Sequence, residues 1–434
     1  MEKKKMATSC DIDVHGIARI EGEGALHVHI DDGELKNVEL EIFEPPRFFE
    51  AFLRGRGFEE PPDITARICG ICPVAYQMSA CLAIEDACSV QVRDEIQTLR
   101  RLLYCGEWIQ SHVLHVFLLH APDFFGLEDA VELAKINKSA VECGLFMKKM
   151  GNKLMEVVGG RAIHPVNVRV GGFYSAPSKG DLQDLVEDLK KALDYAIWAV
   201  EWVAAFDFPD INTSYPLVSL VHDTLYPIDY GTVASTEGFN VSPKEFLDRI
   251  VEEHVARSSA LHAKLDGETP YLTGPMARFN LNYDRLTPIA KQCAEASGIE
   301  RDCRNPFKTI IMRSLEVVVA FEEALRIIDN YVAPDPSYEQ VLPRSGIGYG
   351  ATEAPRGTIV HRYELGKDGL IKEAQIVPPT SQNQAAIEED LKNVIANNMD
   401  LDQEQLTNYC ETAVRNHDPC ISCSAHFLDV DIKR

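Results

Sequence analysis

The sequence of 434 residues has no uninterrupted apolar run as long as a membrane span, which needs about 18 residues or more. Its most apolar stretch, residues 196–208, is broken by Glu201 and Asp207. The charged N-terminus, residues 1–5, is not followed by the apolar core of a secretory signal. We therefore expect a cytoplasmic chain with no membrane span.

Basic residues are in the minority, with 43 Lys and Arg against 67 Asp and Glu, for a formal net charge of −24. An acidic surface repels phosphate groups, so nucleic acid is not an expected partner. Internal repeats, low-complexity tracts and linkers are also absent. Because 45% of the residues are hydrophobic, the chain can bury a large core, and we predict one continuous unit over residues 1–434.

Hydrophobic periodicity predicts an α+β fold that is mostly helical, with a central bundle of long helices between β-rich segments. Alternation predicts a β-hairpin over residues 11–44, and the glycines from Gly348 to Gly369 are interpreted as turns. The expected segments are a β-rich start (1–65), a helical bundle (66–205), a mixed helical region (206–345), a β-rich segment (346–385), a C-terminal helix (386–426) and a short tail (427–434).

The spacing of four of the cysteines indicates a metal site. Among twelve cysteines, Cys69 and Cys72 form one Cys-x-x-Cys pair, and Cys420 and Cys423 form a second at the opposite end of the chain. Four thiolates suit a tetrahedral zinc, an iron–sulfur cluster, or a softer nickel and iron site. The pairs are too far apart for a zinc ribbon, but the spacing alone leaves the metal open. The other cysteines are expected to be small buried apolar residues.

The residues around both pairs carry a family resemblance. Residues 67–73 (RICGICP) and 418–426 (DPCISCSAH) resemble the two signature motifs of nickel–iron hydrogenase large subunits. Residues 15–22, 46–50 and 354–357 are similar to further motifs of that family. The resemblance implies the fold that hydrogenase large subunits share with the quinone-site subunit of complex I. It also implies reversible, heterolytic cleavage of H2 into protons and electrons.

The resemblance assigns roles to the four cysteines and to one glutamate. Cys69 and Cys420 would be terminal ligands of nickel, while Cys72 and Cys423 would bridge nickel to an iron that carries CO and cyanide. Glu21 would relay the proton away from Cys420. The alternative for Glu21 is an ordinary ion pair with Arg19 or Arg47.

Arg356 matches an arginine that lies over the open metal position, and Asp418 is the carboxylate expected to pair with it. Pro355, Thr380 and Ser381 match the pocket around the diatomic ligands of iron, where a hydroxyl can donate to cyanide. For these pocket residues an ordinary polar loop remains the alternative.

A second site for magnesium or iron is implied by Glu50 and His426, with the carbonyl of Ile376 as a third ligand. Two positions depart from many relatives, which have a histidine at Tyr76 and an aspartate at Ser111. These departures concern the tuning of the centre and not the class of reaction. Two further histidines, three positions apart on a predicted helix, are expected to be core or supporting groups and not ligands; they are His112 and His115.

Neither a ferredoxin cysteine motif nor a nucleotide fingerprint is found, so electrons must leave through other subunits. The resemblance implies a small subunit with iron–sulfur clusters, and further subunits linked to flavin, NAD(P), ferredoxin or a deazaflavin. It also implies a maturation endopeptidase that removes residues 427–434. The alternatives are a non-catalytic scaffold like the complex I subunit, or a structural subunit stabilised by zinc.

Overall fold

The chain alternates between helices and short strands in the computed structural model, which describes residues 9–45 and 47–425. The helices are α1 (Phe49–Leu53), α2 (Pro61–Thr65), α3 (Pro73–Cys88), α4 (Asp94–Val113), α5 (Ala130–Ile136), α6 (Lys138–Gly159), α7 (Lys179–Gln183), α8 (Val186–Ala204), α9 (Pro243–Leu247), α10 (Pro275–Asn282), α11 (Pro288–Ser297), α12 (Thr309–Asp329), α13 (Pro379–Asn397), α14 (Gln403–Asn416) and α15 (Ile421–Ser424). A π-helix, Leu114–His120, continues α4. Short 3-10 helices span Ala121–Phe125, Tyr283–Arg285 and Pro306–Lys308.

The strands form small antiparallel sheets. They are β1 (Cys10–Val14), β2 (Gly24–Asp31), β3 (Glu34–Ile42), β4 (Val168–Arg169), β5 (Gly172–Phe173), β6 (Val218–Val221), β7 (Thr232–Ser235), β8 (Asn240–Val241), β9 (Ile250–His254), β10 (Leu261–Leu265), β11 (Gly346–Ala354), β12 (Gly357–Leu365) and β13 (Ile371–Val377). The sheet orders are β1-β2-β3, β4-β5, β6-β7-β8, β9-β10 and β11-β12-β13. The predicted α+β class with a helical centre is confirmed.

The N-terminal hairpin consists of β2 and β3, and β1 adds a third strand at its edge. Leu26 pairs with Leu40 and Val28 with Val38, and these four side chains are buried. Because side chains alternate between the two faces of a strand, this register places one apolar face on the core. The hairpin prediction is therefore confirmed.

Five helices of 16 to 22 residues, α3, α4, α6, α8 and α12, pack together at the centre. Asp94 and Glu95 begin α4, where acidic side chains suit the positive end of the helix dipole. Asn137 caps α6 by accepting the N–H of Ala140. These local signals explain why the segment predicted as helical divides into separate helices with defined ends.

Strand β11 lies directly against α3. A Cβ atom added at Gly348 would be 2.0 Å from the carbonyl oxygen of Ala83, and one at Gly350 would be 2.4 Å from that of Ser79. Only glycine permits so close an approach between strand and helix backbones. The interpretation of Gly348 and Gly350 as turn residues is therefore wrong, since both lie inside a strand.

The region 206–345, expected to be mixed and helical, contains five strands, β6 to β10, besides α9 to α12. The final helical run is two helices, α13 and α14, packed on each other. In residues 9–45 and 47–425, none of the helices combines the length and the apolar character that crossing a bilayer requires.

Candidate metal centre

Four cysteine sulfurs lie together at the centre of the molecule. The Sγ of Cys69 is 3.4 Å from that of Cys420, and the Sγ of Cys72 is 3.6 Å from that of Cys423. All four atoms lie within 4.8 Å of one another, and each residue is at most 2% exposed. No other group of three or more His, Cys, Asp or Glu residues comes as close together in the described part of the chain. The fold thus brings the two Cys-x-x-Cys pairs into one cluster.

The first cysteine loop precedes α3, with Cys72 at the N-cap of that helix. The Sγ of Cys69 accepts the N–H groups of Ile71 and Cys72, both at 3.3 Å. Glu107, which projects from α4, accepts the N–H groups of residues 74 and 75 at 2.6 and 3.1 Å. A buried carboxyl therefore satisfies the open N–H groups of the helix that carries Cys72.

The second cysteine loop is attached to the N-terminal segment. The N–H of Ile421 donates to the carbonyl of Glu21 at 3.0 Å, as in a parallel bridge. The N–H of Cys420 donates to the hydroxyl oxygen of Thr380, at the start of α13, at 3.2 Å. The loop that carries Cys420 is thus fixed from two sides.

Arg47 connects the two cysteine loops. Its guanidinium donates to the carbonyl of Ile68, beside Cys69, at 2.7 Å, and to the carbonyl of Ser422. Its backbone N–H donates to the carbonyl of Ala425 at 2.9 Å. Sequence reasoning considered Arg47 only as a partner of Glu21, although it lies in one of the motifs that carry the resemblance.

The ionisation of the four cysteine side chains favours the binding of a soft metal cation. Hydrogen bonds from Cys420, Cys423 and Cys72 hold the pKa of Cys69 well below its ordinary value. Burial raises the pKa of Cys420 and of Cys423, because loss of hydration disfavours the charged thiolates, and repulsion by neighbouring thiolates adds to this effect. Since a thiolate-binding cation removes that repulsion, the donor set matches nickel and iron.

The carboxylate of Glu21, in the loop between β1 and β2, contacts the cluster. Its Oε2 accepts from the Sγ of Cys420 at 3.0 Å and from the N–H of Ser422 at 3.1 Å. Arg19, one of the alternative partners considered for Glu21, pairs with Asp123 at 2.5 Å instead. The structure therefore places the carboxylate where the relay hypothesis requires it.

Arg356 and Asp418 form the buried pair that the sequence predicts. The Nε of Arg356 donates to the carbonyl of Asp418 at 2.7 Å, and an Nη donates to its carboxylate at 3.0 Å. Another Nη contacts the hydroxyl of Ser111 at 3.2 Å. Burial opposes the charge of Arg356, but the negative charge of Asp418, together with negative charge on the cysteine sulfurs, outweighs burial and holds the pKa of Arg356 well above its ordinary value. The guanidinium is thus positively charged beside the sulfurs.

The three residues expected to form the pocket differ in their contacts. Thr380 contacts the backbone of Cys420, as described above. Ser381 donates its hydroxyl hydrogen to the carbonyl of Pro378 at 3.0 Å. Pro355 is buried immediately before Arg356. Thr380 and Pro355 therefore adjoin groups of the site, whereas Ser381 uses its hydrogen at the start of its own helix.

The second candidate site contains Glu50, whose Oε1 accepts the N–H of Ile376 at 2.7 Å. Burial raises the pKa of Glu50 to about 8, and the nearby carboxylate of Glu252 adds to this effect. Sequence reasoning missed Glu252, because no motif marks its strand, β9. His426 lies outside the described residues, so its predicted place as a ligand stays a prediction.

Tyr76 and Ser111, the two departures, both lie in the core around the cluster. Burial raises the pKa of Tyr76 well above its ordinary value, and the thiols of Cys423 and Cys72 add to this effect. Ser111 contacts Arg356, as described above. Each position thus carries a neutral hydroxyl instead of the histidine and the aspartate that the resemblance implies.

The two histidines of the α4 region have protein partners. His112 lies 2.9 Å from Glu316, and burial lowers the pKa of His112 to about 4. The Nε2 of His115 lies 2.8 Å from the carbonyl oxygen of Arg415. Both are buried side chains of the core, in agreement with the expectation that neither is a ligand of the sulfur cluster.

Comparisons with known proteins agree with this geometry. The family model described as nickel-dependent hydrogenase matches residues 47–144 and 289–426. The chain is 34% identical to the alpha chain of sulfhydrogenase 1 from Pyrococcus furiosus, over 96% of this chain and 98% of that one. It is 28% identical to a chain of the vhc F420-non-reducing hydrogenase from Methanococcus voltae, over 97% and 96%.

A solved structure of an NAD+-reducing NiFe-hydrogenase in the H2-reduced state superposes with a TM-score of 0.84 and 26% identity, over 96% of this chain and 99% of the other. The sulfur cluster, the family match and these relatives lead to the same conclusion. The chain belongs to the nickel-dependent hydrogenase family and is the catalytic component, which acts on H2.

Proposed function

We propose that the four sulfurs hold one nickel and one iron, with Cys69 and Cys420 as terminal ligands of nickel and Cys72 and Cys423 as bridges. The observation that carries this proposal is the packing of four buried Sγ atoms within 4.8 Å. When bound, this centre, with CO and cyanide on its iron, would supply the Lewis acid and redox chemistry by which H2 is converted to two protons and two electrons.

Glu21 is the group that takes the proton from Cys420. Its Oε2 lies 3.0 Å from that sulfur, within the reach of a general base. The N–H of Ser422 donates to the same oxygen and fixes its direction. The carboxylate is half-buried, so a proton received there is closer to solvent than at the sulfur.

Arg356 supplies a fixed positive charge beside the sulfurs, and Asp418 holds it in place. A charge that is already oriented stabilises the charge that develops during the reaction without further reorganisation. Pro355, Thr380 and Ser381 form the wall around the CO and cyanide ligands. Thr380 accepts from the backbone of Cys420, and its hydroxyl can donate to a cyanide nitrogen.

A second cation, magnesium or iron, binds near Glu50, the carbonyl of Ile376 and His426. A buried carboxylate with a raised pKa favours a cation that stabilises its charged form. Because His426 follows Cys423 by three positions, this cation would hold the end of the chain beside the sulfur cluster.

The iron–sulfur small subunit docks on the surface around Gly70, the exposed residue between Cys69 and Cys72. His164 contacts the carbonyl of Ala66 at 2.7 Å, so the loop that follows α6 borders this surface. In that loop Ile163 and Val166 are 57% and 47% exposed. Exposed apolar side chains close to the first cysteine loop suit a partner subunit that receives electrons.

The electrons then pass to further subunits linked to flavin, NAD(P), ferredoxin or a deazaflavin, in the cytoplasm. One relative is named as NAD+-reducing, another as F420-non-reducing and a third as a sulfhydrogenase, so the relatives differ in electron partner. An endopeptidase removes residues 427–434, which lie outside the described part of the chain, once the metals are bound. Intact mass spectrometry of the mature protein tests this cleavage.

Metal analysis and infrared spectroscopy of the purified complex test the centre itself. We expect nickel and iron together with the bands of metal-bound CO and cyanide, which lie where protein does not absorb. Zinc alone would instead support a structural subunit, and neither zinc nor nickel would support a scaffold. Absence of the bands from nickel-loaded, processed protein would overturn the assignment of the centre.

A further inference from the structure

Arg278, on α10, is a fully buried arginine whose five N–H donors are all used. Its Nε and one Nη each donate to Glu316 at 2.7 Å, in a bidentate pair. The other Nη donates to Glu353 at 2.8 Å. The two remaining hydrogens go to the carbonyls of Ala354 and Pro355, both at 2.9 Å. No lysine could make this set of contacts, because it lacks the planar fork.

The two carbonyls belong to the tight turn between β11 and β12. This turn presents Arg356 to the sulfur cluster, and Arg356 follows Pro355 directly. The backbone of the turn is therefore held by Arg278, while the side chain of Arg356 is held by Asp418 and Ser111.

The residue that precedes α10, four positions before Arg278, also contacts the turn between β11 and β12. Gly274 has a φ of 115°, and a Cβ there would be 2.7 Å from the carbonyl oxygen of Arg356. The N–H of Arg278 donates to the carbonyl of Gly274 at 2.9 Å. Asn383, on α13, donates to the carbonyls of Thr273 and Arg356. Helix α10 thus contacts the turn through both its first residues and Arg278.

The carboxylate that binds Arg278 also contacts α4, the helix that carries Ser111. Glu316 accepts from the hydroxyl of Tyr226 at 2.9 Å and lies 2.9 Å from His112. His112 follows Ser111, the residue that contacts the guanidinium of Arg356. Glu316 therefore contacts both Arg278, which holds the backbone of the turn, and α4, which contacts the side chain of Arg356 through Ser111.

We propose that Arg278 is a positioning residue, which sets the place of the Arg356 guanidinium over the sulfur cluster. The proposal rests on the function proposed above for that cluster. Stability alone does not account for Arg278, since buried ion pairs can often be replaced by apolar residues of the same size without loss. Fixing a catalytic group to within a fraction of an ångström does account for it, because small displacements lower the rate strongly.

The test compares Arg278→Lys with Arg100→Lys in the assembled, metal-loaded complex. Arg100 is a matched control, as it is 1% exposed and forms a bidentate pair with Glu85 but touches no group of the site. For R278K we expect shifted CO and cyanide bands, faster hydrogen exchange in residues 354–358, and a kcat lower by about tenfold to a hundredfold with nickel content unchanged. For R100K we expect the bands, this exchange and kcat of the wild type.

Wild-type bands, exchange and kcat in R278K would overturn the proposal, as would equal changes in R100K. If R278K does not accumulate as folded protein, Glu316→Gln keeps the size of the side chain and weakens the hold on Arg278. It should give the same changes to a smaller degree, and wild-type behaviour there would count against the proposal. Failure of the proposed centre would be recognised separately, because the wild type would then lack the bands while exchange in residues 354–358 would still report on Arg278.

Discussion

The two cysteine loops have the same spacing but are held in different ways. In the first loop, the nearby carboxyl, Glu107, binds only backbone N–H groups, and Cys69 accepts N–H groups from its own loop. In the second loop, the nearby carboxylate, Glu21, binds the sulfur of Cys420 itself. The first loop is therefore built to hold its sulfurs in place, and the second also has a carboxylate in contact with one sulfur.

The largest effect should follow from removing the sulfur that contacts the base. In Cys420→Ser, we expect no measurable H2 turnover, because an alcohol is a poor ligand for a soft metal. Circular dichroism should show the fold intact. The half-buried Cys143, which lies outside the cluster, provides the control, and C143S should keep wild-type turnover. Turnover in C420S at the wild-type rate would show that the sulfur of the second loop is not needed for the reaction.

The next effect concerns the base. In Glu21→Gln, the side chain keeps its shape but no longer accepts a proton, so turnover should fall by about a hundredfold to ten-thousandfold. Nickel content and infrared bands should remain, since Glu21 is not a ligand. The nearby, exposed Glu23 is the matched control, and E23Q should behave as wild type. Loss of nickel in E21Q would instead give Glu21 a structural role.

The corresponding change in the first loop, Glu107→Gln, should lower the stability of the fold and leave proton transfer unchanged. Glu107 accepts with both oxygens, whereas glutamine offers one, so E107Q leaves one buried N–H without an acceptor. We expect the free energy of unfolding to fall by about 1–3 kcal/mol, measured by urea denaturation. Turnover should stay within about threefold of wild type. A loss as large as that in E21Q would show that the two loops share the proton chemistry.

The smallest effect should come from Thr380, whose hydroxyl oxygen accepts from the backbone of Cys420. Thr380→Val removes that acceptor and should lower the free energy of unfolding by about 1 kcal/mol. If the hydroxyl also donates to cyanide, the cyanide bands will shift while the CO band moves less. Unchanged bands would limit Thr380 to holding the second loop.

The hairpin and the long helices could be predicted because the periodicities of strands and helices are local properties of a sequence. Strands β6 to β10 could not be predicted, since they are two to five residues long and carry little periodic signal. The sequence alone predicts turns at Gly348 and Gly350, because glycine in a strand beside a helix has the same sequence pattern as glycine in a turn.

The cysteines and Glu21 could be found from motifs, and the structure brings them together. The supporting contacts could not be found in this way. Arg47 reaches Ser422, and Arg278 reaches Pro355, across long sequence separations. Neither residue type nor spacing indicates such pairs, because they depend on the packing of several elements at once. Their roles, like those of the residues around Arg356, stay predictions.

The glycines of β11 have a consequence for how the centre can vary among related chains. Helix α3 begins after Cys72 and β11 ends just before Pro355 and Arg356, so direct backbone contact between them sets the separation of the Cys72 sulfur from the Arg356 guanidinium. Any residue larger than glycine at positions 348 or 350 would push the strand outward and move Arg356 away from the sulfurs. We therefore expect few related chains to carry a larger residue at either position, although neither glycine contacts the sulfurs itself.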